Sequence, residues 1–260
     1  MRAVQHGRIA GPAVAIVGVW DPVLSSHVPL LGNLRDRAAA AGLTSVAVLI
    51  DPAPGAASGF ARQYDTFGWP VYDSVPARIG LIRHLGLDAV VVVRFRKIDF
   101  GATAAAFLDT VRERVCLEEL WLGAVQQLGP GIPGSPPAVA DYAHRHGFRL
   151  TMLPRAPLGT YDVRYLLASG RVREAVHIVG HPPTWRRPRS GVLRLPWRPG
   201  RYQAVALDSP ERPPDGNKIN IALAARSNES ATMCWPDPGI RYLAFTAGPA
   251  DLGGGGRLMP

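Results

Sequence analysis

Along the first two-thirds of the chain the apolar positions follow two alternating rhythms. Nearly uninterrupted apolar runs at 13–19, 44–50 and 88–93 ("DAVVVV") lack polar alternation, as strands covered on both faces should. Between and after them apolar residues recur at helical spacing over 28–41, 75–85 and 103–115. The first of these helices ends in "RDRAAAAG", which makes Gly42 its expected stop. Segments 119–122 and 149–153 read as a fourth and a fifth strand, with a helix at 137–146 between them after a Gly/Pro loop. Two short helices are expected at 163–168 and 172–179. Strand alternating with helix predicts an α/β protein with a doubly wound, Rossmann-like parallel sheet.

At Gly180 the pattern changes. "GHPPTWRRPRSG" reads as a Pro/Arg linker, and beyond it "GVLRLP", "RYQAVAL", "KINIALA" and "IRYLAFTA" alternate as antiparallel strands do, with a turn such as "PPDGN" between two of them. The expected organisation is a domain at 1–183 and a small β-barrel-like domain at 184–260, its strands starting near Ser190. The tail "GGGGRLMP" is expected to lack fixed structure. No internal repeat is visible.

Composition changes this picture little. With 47% hydrophobic and 19% charged residues over 260 positions, the chain can bury a substantial core. The net charge of +9 is carried by arginine, since only Lys97 and Lys218 are lysines. That charge is compatible with an anionic ligand, and equally with a coding bias toward arginine. Cys116 and Cys234 are too far apart for a metal motif or a disulfide framework. Cys116 is read in an apolar helix-like segment as a buried thiol, and a reducing cytoplasm fits. No apolar run reaches the ~18 residues of a membrane span. His144 and His146, two apart on a helix, face different ways and make no metal site.

In open parallel sheets ligands bind beyond the carboxyl ends of the strands. The candidate residues are therefore those that follow each strand. Trp20, Asp21, Ser25, Ser26 and His27 come after the first strand, Asp51 after the second, and Gly123 to Gly134 after the fourth. Tyr161, Asp162 and Arg164 come after the fifth. His27 is the foremost candidate for chemistry. Asp21 could orient it, act as a base or simply accept turn N–H groups. Trp20 could stack on a ring or belong to the core. Ser25 and Ser26 could hold an anion or cap a helix. Arg164 could grip a phosphate bidentately or form a surface ion pair.

Several of these stretches together resemble the bacterial bifunctional FAD synthetases, riboflavin kinase/FMN adenylyltransferases, chiefly their N-terminal nucleotidyltransferase domain. "GVWDPVLSSH" (18–27) matches the spacing of that family's "GxFDGVHxGH" turn, and "LIDPAP" (49–54) corresponds to its "TFDPHP". "RFRKIDFGATAAAF" (94–107), "GAVQQLGPGIPGS" (123–135), "GTYDVRYLLASG" (159–170) and "REAVHIVGHPP" (173–183) resemble further family motifs in the same order. The resemblance spans about 12–183 and implies an adenylyltransferase fold with a flavin or adenine nucleotide as ligand. It also shows departures. The family's first phosphate-binding histidine is Leu24 here, the glycine between the pair is Ser26, and only His27 remains. An acidic position is Ala124, a flavin-flanking aromatic is Gln126, and the Ser/Thr nucleotide motif reads Gly159, Thr160 and Tyr161, with Arg164 kept. The kinase motif "PTAN" is missing from the second domain.

The resulting expectation is a family cleft reused for a different small-molecule reaction, in the manner of bacterial specialised metabolism. Its catalytic residues would be His27, Asp21 and Arg164. Trp20, Ser25, Ser26, Asp51, Gly123, Gln126, Tyr161 and Asp162 would bind the ligand, with no metal ligands. Two alternatives stand beside it: a working FMN adenylyltransferase, and a non-catalytic flavin- or nucleotide-binding accessory protein. Arginines interleaved with Trp185 and Trp197 read as a docked basic linker rather than a nucleic-acid surface. The barrel-like strands leave a homodimer open, and no membrane partner is expected.

Overall fold

The computed structural model describes residues 2–4, 8–52, 72–95, 104–123, 127–129, 132–133, 136–154, 160–195, 197–209, 218–227 and 230–252. Contacts divide the chain into two units. The first comprises Met1–Trp20, Ser26–Asp65 and Ile82–Pro157, the second Asp21–Ser25, Thr66–Leu81 and Leu158–Pro260.

The first unit is built on β1 (Arg2–Val4), β2 (Pro12–Gly18), β3 (Thr44–Pro52), β4 (Ala89–Phe95), β5 (Cys116–Gly123) and β8 (Arg149–Leu153). A short hairpin of β6 (Gln127–Gly129) and β7 (Ile132–Pro133) intervenes. The six strands lie in the order β1-β4-β3-β2-β5-β8, every pairing parallel. The five expected strands are thus present, and β1 is added at the edge, too short to read from three residues. The all-apolar runs are explained by double coverage. Ala13, Ala15, Val17, Val46, Val48 and Ile50 pack with Phe107, Leu108 and Val111 of α3 (Ala104–Arg112) and with Val139 and Tyr142 of α4 (Pro136–Arg145). Their alternates, Val14, Ile16, Ala47 and Leu49, are equally buried and face the other way.

Helix α1 (His27–Ala41) lies against β2 and β3, and α2 (Val75–His84) precedes β4 in the chain. It buries Leu31, Leu34 and Ala38, a stripe at helical spacing, and each buried leucine contributes about 1.5–3 kcal/mol. The helix stops where expected. Gly42 takes φ 65°, its N–H reaches Ala39, and the Leu43 N–H reaches Ala38 at 2.9 Å, which closes a Schellman turn. On β5, Glu119 is a buried carboxylate that accepts from Trp121 Nε1 (2.8 Å), Thr151 Oγ1 (2.9 Å) and Arg37 Nε (3.0 Å). Cys116, expected to be a buried thiol in a helix-like segment, instead begins β5 and is exposed. It sits at the entry of the strand, before the buried stretch Leu120–Leu122 begins.

In the second unit an antiparallel sheet contains β9 (Thr184–Arg186), β10 (Val192–Leu195), β11 (Gly200–Leu207), β12 (Lys218–Ser227), β13 (Ser230–Cys234) and β14 (Tyr242–Ala247). Its order is β10-β13-β12-β11-β14-β9. Strands β11, β12 and β13 are successive neighbours and β14 returns beside β11, a Greek key. Helices α5 (Thr160–Ala168) and α6 (Val172–Val179) share this unit. Their apolar faces, Val163, Leu166, Leu167, Val172, Ala175 and Val179, lie in one cluster with Trp197, Tyr202, Leu223 and Phe245 of the sheet. Residues 160–179 therefore gather around the core of the second unit. α5 starts at Thr160, three residues before its apolar pattern begins. The expected linker contains β9, whose Trp185 is buried and pairs with Leu243. Trp197 is likewise a core residue. The tail 253–260 lies outside the described residues.

Candidate functional site

In the first unit the chain leaves β2 for β3 and β4 on one side, then crosses to β5 and β8 on the other. The topological switch point therefore lies between β2 and β5, where open α/β sheets take their ligands. Gly123 ends β5 there, half-buried, and α1 starts at His27. Asp51, half-buried, comes at the end of β3.

The turn out of β2 is held by an unusual residue. Trp20 takes φ 55°, a left-handed backbone that costs a bulky side chain about 1–3 kcal/mol and persists only where its surroundings over-determine it. The surroundings do so here. The indole is 5% exposed and its N–H donates to the Val48 carbonyl at 3.3 Å. It lies where a Cβ on Gly18 would stand, 2.5–2.9 Å from the ring atoms. The indole and the His27 ring meet edge to face, at a centroid distance of 5.0 Å and an interplanar angle of 82°. His27 is half-buried, and burial pushes its pKa down from 6.5 to about 4, so the imidazole is uncharged at neutral pH. The indole of Trp20 is thus buried, with its N–H engaged inside the protein. Ser26 stands at the N-cap position with helical φ and ψ and makes no side-chain capping bond.

In the second unit the candidate Asp21 is 1% exposed, and its Oδ1 accepts the N–H groups of Tyr72 and Asp73, both at 2.9 Å. Asp73 is fully buried. Its Oδ1 accepts the Thr184 N–H at 2.8 Å, and its Oδ2 lies 3.7 Å from His181 Nε2 with no hydrogen bond among the described residues. The two ring nitrogens of His181 face the carbonyls of Val23 (3.2 Å) and Pro182 (3.1 Å). Burial raises the Asp73 pKa from 3.8 to about 7. His181, the Thr184 N–H and Arg78 oppose the rise, while Asp21 adds to it. Tyr72, whose hydroxyl donates to the His181 carbonyl, is pushed well above 10, first by burial and then by the two carboxylates. Ser74 extends the network, its N–H on the Thr184 carbonyl at 3.0 Å and its Oγ accepting the Arg186 N–H at 3.1 Å.

The remaining candidates of this unit are spread out. Ser25 is exposed and its Oγ donates to the Ile178 carbonyl at 3.0 Å. Leu24 is 3% exposed and belongs to the apolar cluster of Tyr72, Val163 and Trp185. Arg164 is 1% exposed on α5, not the surface cation that one sequence reading supposed. Asp162 is exposed in the first turn of α5, and Tyr161 occupies the same turn. Gln126 lies outside the described residues. Of the sequence candidates, the structure brings Trp20 against His27, while Asp21 is committed to the 72–73 backbone. Sequence reasoning missed Asp73 and His181. A polar "YDS" next to an expected helix was the only local hint of the first.

A doubly wound parallel sheet with a strand–turn–helix at its switch point defines a nucleotide-binding class of fold. Comparison with known proteins narrows it. The family model described as FAD synthetase matches residues 7–164, and the chain belongs to the FAD synthetase family. A bifunctional riboflavin kinase/FMN adenylyltransferase of Listeria monocytogenes serovar 1/2a (strain ATCC BAA-679 / EGD-e) is 23% identical over 176 residues, 66% of this chain and 54% of the relative. A protein of the same description from Pseudomonas fluorescens is 30% identical over 104 residues, 38% of this chain and 30% of the relative. The chain thus aligns with about half or less of the length of these curated relatives. Among solved structures, one described as a macrolide-efflux protein from Streptococcus pneumoniae matches with a TM-score of 0.61 and 12% identity. It covers 95% of this chain and 90% of that one, a likeness of fold alone. Among the described residues no helix is long and apolar enough to cross a membrane.

Proposed function

We propose that this member of the family holds a small molecule of the flavin or adenine-nucleotide class at the carboxyl ends of β2 and β5, and that its reaction is not fast adenylyl transfer to FMN. One observation carries the reading. Leu24, where the family resemblance puts the first phosphate-binding histidine, is a 3% exposed core side chain. A leucine side chain can neither donate to nor neutralise an oxygen of a transferring phosphoryl group. The chemistry of adenylyl transfer is mostly positioning and charge stabilisation, and each missing donor removes about 10²–10³ in rate. The uncharged His27 and the turn carboxylate Asp21, already spent on two backbone N–H groups, support the same reading. His27 is proposed as the functional side chain that remains at the ends of β2 and β5, in a protein of the cytoplasm.

The second reading is a working FMN adenylyltransferase, and the match of the family model over residues 7–164 favours it. Incubation of the full chain with ATP, Mg²⁺ and FMN separates the two. The expected result is binding of FMN or ATP, seen as a melting shift, with FAD and pyrophosphate forming at least 10²-fold slower than in a family member that retains both histidines. FAD formation at the same rate as that member overturns the proposal.

A further inference from the structure

We propose that Trp20 is a positioning residue for His27: its indole, bedded on Gly18 and anchored on the Val48 carbonyl, fixes where the imidazole stands at the start of α1. The inference rests on the reading that His27 belongs to the ligand site, and it adds a residue that acts only through another. Four observations meet at this ring. The backbone of Trp20 is left-handed, a conformation a tryptophan keeps only when its side chain is held. Gly18 has no Cβ, and any Cβ there would collide with Cε2, Cζ2 and Nε1 of the indole. The indole N–H is spent on Val48 rather than offered to a ligand. The exposed face of the pair is His27, half-buried where Trp20 is buried, with the two rings edge to face.

The consequence is chemical. An imidazole walled by an indole meets a ligand as a neutral hydrogen-bonding group, with one nitrogen donating and the other accepting, rather than as a cation. Its interaction with an anion is then short-ranged and insensitive to pH over the neutral range. An arginine in its place would attract an anion at longer range, and an open histidine would change charge near neutral pH.

The test is an NMR titration of the His27 ring protons in the full chain, assigned by difference against His27→Gln. The expected wild-type midpoint is about 4. Trp20→Ala moves the midpoint toward 6.5, the ordinary value, whereas Trp20→Phe, which keeps an aromatic wall, leaves it low. Gly18→Ala, which keeps both side chains but displaces the indole, also raises the midpoint. It serves as the deciding variant where Trp20→Ala does not fold. A wild-type midpoint already near 6.5, or a low midpoint retained in folded Trp20→Ala or Gly18→Ala, overturns the inference. FMN and ATP that fail to bind, with the His27 titration behaving as stated, would instead count against the proposed function and leave Trp20 in its role.

Discussion

Replacing Asp73 with asparagine should remove a pH dependence from the stability of the second unit. In the folded state burial lifts this carboxyl from 3.8 to about 7, so between those values the native protein holds a proton that the unfolded chain releases. A group whose native state binds more protons makes stability fall as pH rises, fully present below about 4 and lost by about 7. A rise from 3.8 to about 7 corresponds to about 4 kcal/mol. Asparagine resembles the protonated acid. Its Oδ1 can still accept the Thr184 N–H, and its amide adds a donor at Oδ2, which lacks a hydrogen bond among the described residues. Below pH 4 Asp73→Asn should therefore match the wild type within about 1 kcal/mol, at pH 5 it should already be more stable by about 1–2 kcal/mol, and at pH 8.5 by about 4 kcal/mol. The assay is urea unfolding from pH 5 to 8.5, with amide exchange at Thr184 as the local reading. His27 pulls the other way, because a ring neutralised by burial gains stability as pH rises from about 4 to 6.5. The difference between the two proteins isolates Asp73. Parallel stability curves for wild type and variant would refute the reasoning.

Two further outcomes follow from packing and charge. Glu119 sits among three donors. Burial alone would raise its pKa, but Trp121, Thr151 and the Arg37 guanidinium outweigh it and hold it below the usual carboxylate range. Glu119→Ala should cost about 3 kcal/mol in urea unfolding at neutral pH, and the gap from wild type should narrow as pH falls through the native pKa; a pH-independent gap would mean the carboxylate charge is not what matters. Gly248→Ala would press a methyl on the Gly170 carbonyl and stand 2.8 Å from Val172 Cγ2, so a destabilisation of about 1–3 kcal/mol is expected, and an unchanged midpoint would show that this turn yields freely.

The parallel sheet was legible because its strands are buried on both faces and so spell apolar runs, and the end of α1 was legible because only glycine sits comfortably at φ 65°. β9 was not, because "TWR" is a strand only through β14, more than fifty residues later, and its Arg/Pro surroundings mimic a linker. Cys116 misled because an apolar neighbourhood says nothing about which end of a strand is covered. The site was half-legible. The spacing of the turn pointed to Trp20, Asp21 and His27, yet the sequence held no sign that Asp21 is consumed by the Tyr72 and Asp73 amides. Asp73 itself was hidden, since its partners Thr184 and His181 lie over a hundred positions away and no local pattern marks a carboxylate for burial.

The second unit draws on three separate stretches of chain, with Asp21–Ser25 and Thr66–Leu81 contributed long before Leu158–Pro260. During synthesis the early pieces leave the ribosome with their apolar and acidic groups unmatched, and wait for β14, made long after them. A cut at 183 would leave Leu24, Tyr72 and Asp73 in one fragment and most of the core that covers them in the other. Neither half should fold cleanly alone, and the two should recover only when expressed together.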